Sequence, residues 1–255
     1  MSDLDTATTE DLRQVMNGLL STLSHDLRTP LSAIAGWLFV LESEKLDAAA
    51  RKRALDKIRQ NVENQVRLID DIALLSRSIT GHLQMDVALI SPLPPLEAAM
   101  EKLRATAKAG LVSLPPVTVS EIGMVMADNE FLRRVFEILI LHALNSTPQN
   151  GAIETVVCIR DGNVEITIAD NGRGLNPAEL SDIFDAFRKG DSAPDSAYPG
   201  AERSLMLAKA LVDEHGGQLQ ASSCGRGLGT TFTLRLRCVD AQVSTVNTTT
   251  TSDTK

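Results

Sequence analysis

STLSHDLRTPLSAIAGWL, residues 21–38, sets a histidine, an acid, an arginine, a threonine and a proline inside an apolar series. Leu20, Leu23, Leu27, Leu31, Ile34, Leu38 and Leu41 recur by threes and fours, the period of an amphipathic helix. Two residues turn a helix by about 200°. His25 therefore faces away from Leu23 and Leu27, with Thr29 one turn further along the same polar face and Asp26 adjacent. An exposed imidazole beside a carboxylate can act as a nucleophile: the acid takes the proton from one ring nitrogen while the other attacks an electrophile such as phosphorus. Pro30 removes one helical hydrogen bond, which predicts a kink or a weakened turn beside this cluster. The alternative reading is an ordinary polar residue on a wet helix face.

A second series, Leu55, Ile58, Val62, Val66, Ile69, Ile72, Leu75 and Ile79, follows the break SEKLDAAA. Two long helices folding back as an antiparallel hairpin are expected, and burying both stripes calls for a second copy in a dimeric four-helix bundle. Near Gly81 the pattern changes to short strands, turns and helices, with breaks at SPLPP (91–95) and LPP (114–116). Strands are predicted at 83–89, 117–126, 152–160, 163–169, 217–223 and 230–237, and helices at 94–109, 129–145, 177–186 and 202–215. The fold class is α+β: a helical hairpin (15–80) after a flexible N-terminus (1–14), then an α/β sandwich (81–237) and a disordered, threonine-rich tail (238–255).

Composition narrows the partners. A chain of 255 residues with 43% hydrophobic content can bury an ordinary core, and a net charge of −8 without basic runs offers no footprint for nucleic acid or an anionic membrane. Cys158, Cys224 and Cys238 lack metal-site or disulfide-framework spacing, which fits a reducing cytosol. No signal peptide is evident, and no apolar run reaches the roughly 18 residues of a membrane span. A cytoplasmic location without membrane contact is expected.

SHDLRTPL (24–31) resembles the phosphoacceptor box of two-component histidine kinases, and LIDDIALLSRSITG (68–81) resembles the close of that family's dimerisation hairpin. ADNGRGL (169–175), IFDAF (183–187), DEHGG (213–217) and GRGLGTTFTL (225–234) follow in the order of its ATP-binding domain. On the residues alone, Asp170 can accept from the amine of adenine, and Gly172 and Gly174 permit close approach of the backbone to a ligand. The resemblance implies His25 as phosphoacceptor, Asp26 as general base and Thr29 as the residue that positions a water for dephosphorylating a partner. It further implies adenine held by Asp170 and Thr231, an ATP lid between IFDAF and DEHGG, a response-regulator receiver domain as partner, self-association, and ATP with Mg²⁺ as cofactors. The 14 residues before the hairpin are too short for a sensory domain, so a signal would come through an upstream sensor protein, a ligand at the bundle or a missing upstream segment.

Two motifs depart from the family. In RRVFEILILHALNSTPQNG (133–151), alignment on Ala143 and Thr147-Pro148 puts Ile138 and His142 at the two family asparagines and Asn145 at the usual lysine. The second asparagine ordinarily helps hold Mg²⁺, which makes His142 the candidate metal position. Magnesium prefers oxygen, so an imidazole is a poor replacement. The alternative is that His142 is a partly buried residue bonded to a neighbour. In YPGAERSLMLAKALV (198–212) Gly200 survives, while Glu202 and Ser204 stand at lid glycine positions. Arg203 and Lys209 could return positive charge there, or be ordinary exposed helix residues. The expected function is a soluble histidine kinase that autophosphorylates on His25 and passes the phosphoryl group to a regulator aspartate. The alternatives are a phosphotransferase or regulator phosphatase with a vestigial ATP domain, and a non-catalytic dimeric adaptor.

Overall fold

The computed structural model describes residues 27–42, 46–184 and 201–239, with side chains from Ser204 onward in the last segment. His25, Asp26 and Gly200 lie outside what is described, as do the side chains of Glu202 and Arg203 and most of the C-terminal tail. Helix α1 occupies 27–41 and runs through Pro30 without interruption. Helix α2, Ala48–Ile79, starts where Asp47 caps the Ala50 amide and ends at Thr80. Trp37 and Val40 of α1 line one cavity with Ala50, Arg53 and Lys57 of α2, the contact expected of a hairpin close to its bend. Much of the apolar stripe stays uncovered within one chain. Leu31, Leu38, Leu55, Val62, Val66, Ile69 and Ile79 are all exposed.

The second part is a sheet with helices on one face. In chain order it comprises β1 (Val87–Ile90), α3 (Leu93–Ala109), β2 (Thr118–Val119), β3 (Met124–Asp128), α4 (Asn129–Ser146), β4 (Ile153–Arg160), β5 (Asn163–Asp170), α5 (Pro177–Asp182), α6 (Ala201–Glu214), β6 (Gln218–Ser222) and β7 (Thr231–Val239). The strand order is β1-β3-β7-β5-β4-β2, and β6 also pairs with β7. Among the described strand pairs only β2 and β4 run parallel, a pairing that the isolated bridge between Ser113 and Ala152 shares. Alternation sorts the faces: Ile153, Val157, Val164, Ile166, Ile168, Phe232 and Leu234 meet the apolar sides of α3, α4 and α6 in one core. The opposite face is polar, and there Glu165 is buried beneath Arg160 and Arg235.

Three expectations about elements need correction. The run 117–126 is two strands, because β2 pairs with β4 at one edge of the sheet while β3 pairs with β1 and β7 toward the other. The predicted strand at 83–89 is confined to Val87–Ile90. Strand β7 continues through Cys238 and Val239, residues assigned from sequence to the tail. Packing also crosses the expected domain boundary, since Leu75 of α2 belongs to the core of the α/β part.

Candidate functional site

Asp170 ends β5 on the helix-facing side of the sheet, and the turn that follows is built around its carboxylate. Oδ1 accepts from the Gly172 amide at 2.8 Å and the Thr230 amide at 3.3 Å, while Oδ2 is buried with no partner. Burial raises the carboxyl pKa above the usual range, against the pull of those two amides and of Arg173. An unpaired buried oxygen is costly, and here it is suited to accept from a ligand amine. Gly172 and Gly174 have a packing role within the chain. A Cβ at Gly172 would overlap the Ser146 carbonyl, and one at Gly174 would overlap the carbonyl of Gly225. These glycines let the turn lie against other backbone, locking Asp170 between the end of α4 and the start of β7.

Thr231 does not join Asp170 through any recorded bond. It alternates with Phe232 and pairs with Ala169, so it belongs to the sheet face away from α4. Thr230 takes the inner position: it is 3% exposed, its amide meets Asp170 Oδ1, and its carbonyl accepts from the Asp170 amide. Beside it, the Phe232 ring stands edge-on to both His142 (5.2 Å between centroids) and Phe184 (6.4 Å). A buried aromatic cluster and a buried acceptor thus occupy the same end of the sheet.

Helix α4 starts with Asp128, whose Oδ1 accepts from Glu130 and Phe131 amides while Oδ2 accepts from the Asp86 amide. His215, from DEHGG, accepts the Asp128 amide on Nε2 at 3.0 Å, and its Nδ1 meets the Leu211 carbonyl. That histidine is a structural tie between α6 and the start of α4. Four turns along α4, His142 is buried and its Nδ1 has no partner. Burial first, and the nearby Arg173 charge second, lower its pKa to about 4, so the ring is neutral near neutral pH. The expectation that a neighbour bonds this ring is not met at Nδ1, where the recorded contact is the aromatic one with Phe232.

Ile138, His142 and Asn145 line a cavity of about 60 Å³ together with Arg67, Arg134 and Ser204. The hairpin enters the site here. Asp71 of α2 pairs with the Arg134 guanidinium and accepts from Ser204 Oγ at 3.2 Å. Arg134 also reaches Glu137 at 3.3 Å, and Glu137 is held by Lys102 at 2.8 Å and by Arg133. Lys209 pairs with Asp213 one turn away. On α1, Thr29 is exposed, as its helical phase requires. Sequence reasoning missed Thr230, Arg173, Arg134 and Asp71. The first two sit inside recognised motifs and were legible there, whereas the Arg134–Asp71 pair spans 63 positions and has no local signal.

Two family descriptions match the chain: "His Kinase A (phospho-acceptor) domain" over residues 15–81, and "Histidine kinase-, DNA gyrase B-, and HSP90-like ATPase" over residues 127–240. The chain belongs to the two-component histidine kinase family. Among curated histidine-kinase relatives, the Sensor protein KdpD of Escherichia coli is 29% identical over 211 residues, 82% of this chain and 23% of that protein. The chain likewise spans less than half the length of the other curated relatives compared with it. Two solved histidine kinases share the fold. ShkA, solved full-length with AMPPNP, has a TM-score of 0.61 at 24% identity, covering 87% of this chain and 46% of its own. ThkA, solved with the response regulator TrrA, has a TM-score of 0.65 at 14% identity, covering 90% and 64%.

A histidine-kinase ATPase domain implies ATP, and its two ends fit unequally. The adenine end offers the orphaned Asp170 Oδ2. The metal end offers an aliphatic chain at 138 and a neutral, buried imidazole at 142; of the oxygens on the same cavity, those of Glu137 are held by Lys102, Arg133 and Arg134 and that of Ser204 donates to Asp71, which leaves the Asn145 amide. Among the described residues no group of three or more His, Cys, Asp or Glu side chains could hold a metal ion. The residues present do not fit Mg²⁺. Among the same residues no helix is long and apolar enough to cross a membrane.

Proposed function

We propose that this histidine-kinase family member is a phosphotransfer module: His25 carries a phosphoryl group that it exchanges with the aspartate of a response-regulator receiver domain, and the sandwich binds adenine nucleotide as a ligand. The observation that carries this reading is the mismatch between the two ends of the nucleotide site, an acceptor for adenine at Asp170 and no oxygen set for a metal at Ile138 and His142. In transfer from the receiver, a ring nitrogen of His25 attacks the phosphorus of the acyl phosphate. The N–P bond forms as the P–O bond breaks, the receiver carboxylate leaves with the electron pair, and Asp26 takes the proton from the other ring nitrogen. The reverse sequence returns the group to the receiver, and the chemistry depends on positioning. In this reading Thr29 orients water for regulator dephosphorylation, a role that its exposure on α1 supports.

The solved pairing of ThkA with a response regulator supports a receiver as the partner, and the exposed stripe on α1 and α2 supports a homodimer as the acting unit. The second reading is autophosphorylation of His25 from ATP, favoured by Asp170 and by the AMPPNP complex of ShkA. A receiver phosphorylated with ³²P and free of ATP tests the first. Acid-labile label should move to the wild-type chain and not to His25→Ala. A wild-type chain that takes no label, and that does not hasten receiver dephosphorylation in a Thr29-dependent way, would exclude both transfer and phosphatase action.

A further inference from the structure

We propose that Asp71 is an internal anion that clasps the hairpin onto the phosphate end of the nucleotide site, so that the last turns of α2 and the phosphates of a bound adenine nucleotide compete for Arg134 and Ser204. The inference rests on the reading that the Asp170 pocket takes an adenine nucleotide.

Asp71 is 9% exposed, on a helix whose other buried side chains are Ala54 and Leu75. A carboxylate taken out of water needs a counter-charge and hydrogen bonds. Arg134 supplies the charge and Ser204 a hydroxyl, from two different helices of the sandwich. Both belong to the phosphate side of the site. Arg134 precedes Ile138 by one helical turn and His142 by two, and all three line the same cavity as Ser204. Ser204 lies in the first turn of α6, where helix amides and the macrodipole favour an anion. Asp71 thus supplies, from within the chain, the negative charge that a phosphate would bring.

Shared groups make the two exclusive: the Arg134 guanidinium and the Ser204 hydroxyl are already taken by Asp71, whose carboxylate would repel a phosphate brought to the same two groups. The clasp is also more than one pair, because Leu75 enters the sandwich core and Ser78 Oγ donates to Glu214 at 3.0 Å. A nucleotide whose phosphates reach Arg134 has to lift this segment. By linkage, whatever loosens the segment tightens the nucleotide to the same degree. The nucleotide then acts on the hairpin that bears His25 by releasing it, with no metal and no cleavage of a phosphate bond required.

Hydrogen exchange and ADP titration in EDTA, on the full chain and on Asp71→Asn, test this. The substitution keeps the side-chain shape and leaves Arg134 paired with Glu137. Amides of residues 68–79 should exchange faster in D71N than in wild type, while β5 and β7 keep their protection. ADP should bind D71N about tenfold more tightly, equivalent to ~1.4 kcal/mol, and should speed exchange of 68–79 in wild type. Should D71N lose protection in β5 and β7, Ser204→Ala carries the same test at smaller amplitude, since it spares the charge pair. Unchanged exchange at 68–79 would overturn the clasp, and equal ADP affinity in both proteins would overturn the competition. If neither protein binds ADP or adenosine, the nucleotide reading itself fails and the competition falls with it, whereas exchange at 68–79 without ligand still judges the clasp.

Discussion

Asp170 and His142 are complementary in chemistry: one is an acceptor kept short of a partner, the other a base kept short of a proton. Replacing Asp170 by Asn should weaken adenosine and ADP binding about tenfold or more, from the ~1.5–3 kcal/mol of a charge-assisted hydrogen bond. Calorimetric titration measures it. His142 stays neutral down to about pH 4, whereas an unfolded histidine takes a proton near its reference value of about 6.5. Between those values the unfolded chain binds more protons than the folded one, so acid favours unfolding. Wild type should lose about 2 kcal/mol of stability from pH 7 to pH 5 through this group, and the His142→Asn variant should lack that loss. Urea denaturation of both proteins across this range checks it. At this scale the sequence was a good guide to which positions matter and a poorer one to what they do. Gly172 and Gly174 were legible as special positions, but the carbonyls of Ser146 and Gly225 that demand them come from distant segments. Likewise, strand parity puts Thr230 and not Thr231 beside Asp170, a matter of one residue in register.

The elements were legible wherever one periodicity met one partner. Helices α3, α4 and α6 fall within a residue of their expected spans because each carries an apolar face along its length, and α4 is in addition capped by Asp128. Strand signals failed at 117–126, where one β-prone run, VTVSEIGMVM, feeds two separate pairings in the sheet, and the break falls at 120–123, where a Cβ on Gly123 would strike the Cys238 side chain. Asp128 makes its own prediction at this scale. It caps α4 with two bonds and ties the Asp86 amide with a third. Asp128→Ala should cost about 2 kcal/mol, the loss of a good N-cap together with an unpaired amide, read as a shift in the urea midpoint with unchanged slope.

Taken whole, the molecule joins a helical hairpin to a sandwich whose nucleotide face is partly given to holding that hairpin. The uncovered stripe is the strongest statement the single chain makes about assembly, since Val62, Val66 and Ile69 are each about half exposed on one helix. Sedimentation should show a dimer, and a Val66→Asp, Ile69→Asp double variant should shift it to monomer while keeping the sandwich folded. The hairpin and the order of the motifs were readable in advance, and so was damage at 138, 142 and 204. Only the fold reveals that Ser204 and Arg134 have found a carboxylate from α2. The central claim is that His25 receives its phosphoryl group from a receiver and not from ATP on the same chain. Its most direct test is γ-labelled ATP with Mg²⁺ on wild type and His25→Ala, run beside a labelled receiver as donor. The account predicts label on wild-type His25 from the receiver and none above the His25→Ala background from ATP; rapid, acid-labile labelling of His25 by ATP would contradict it.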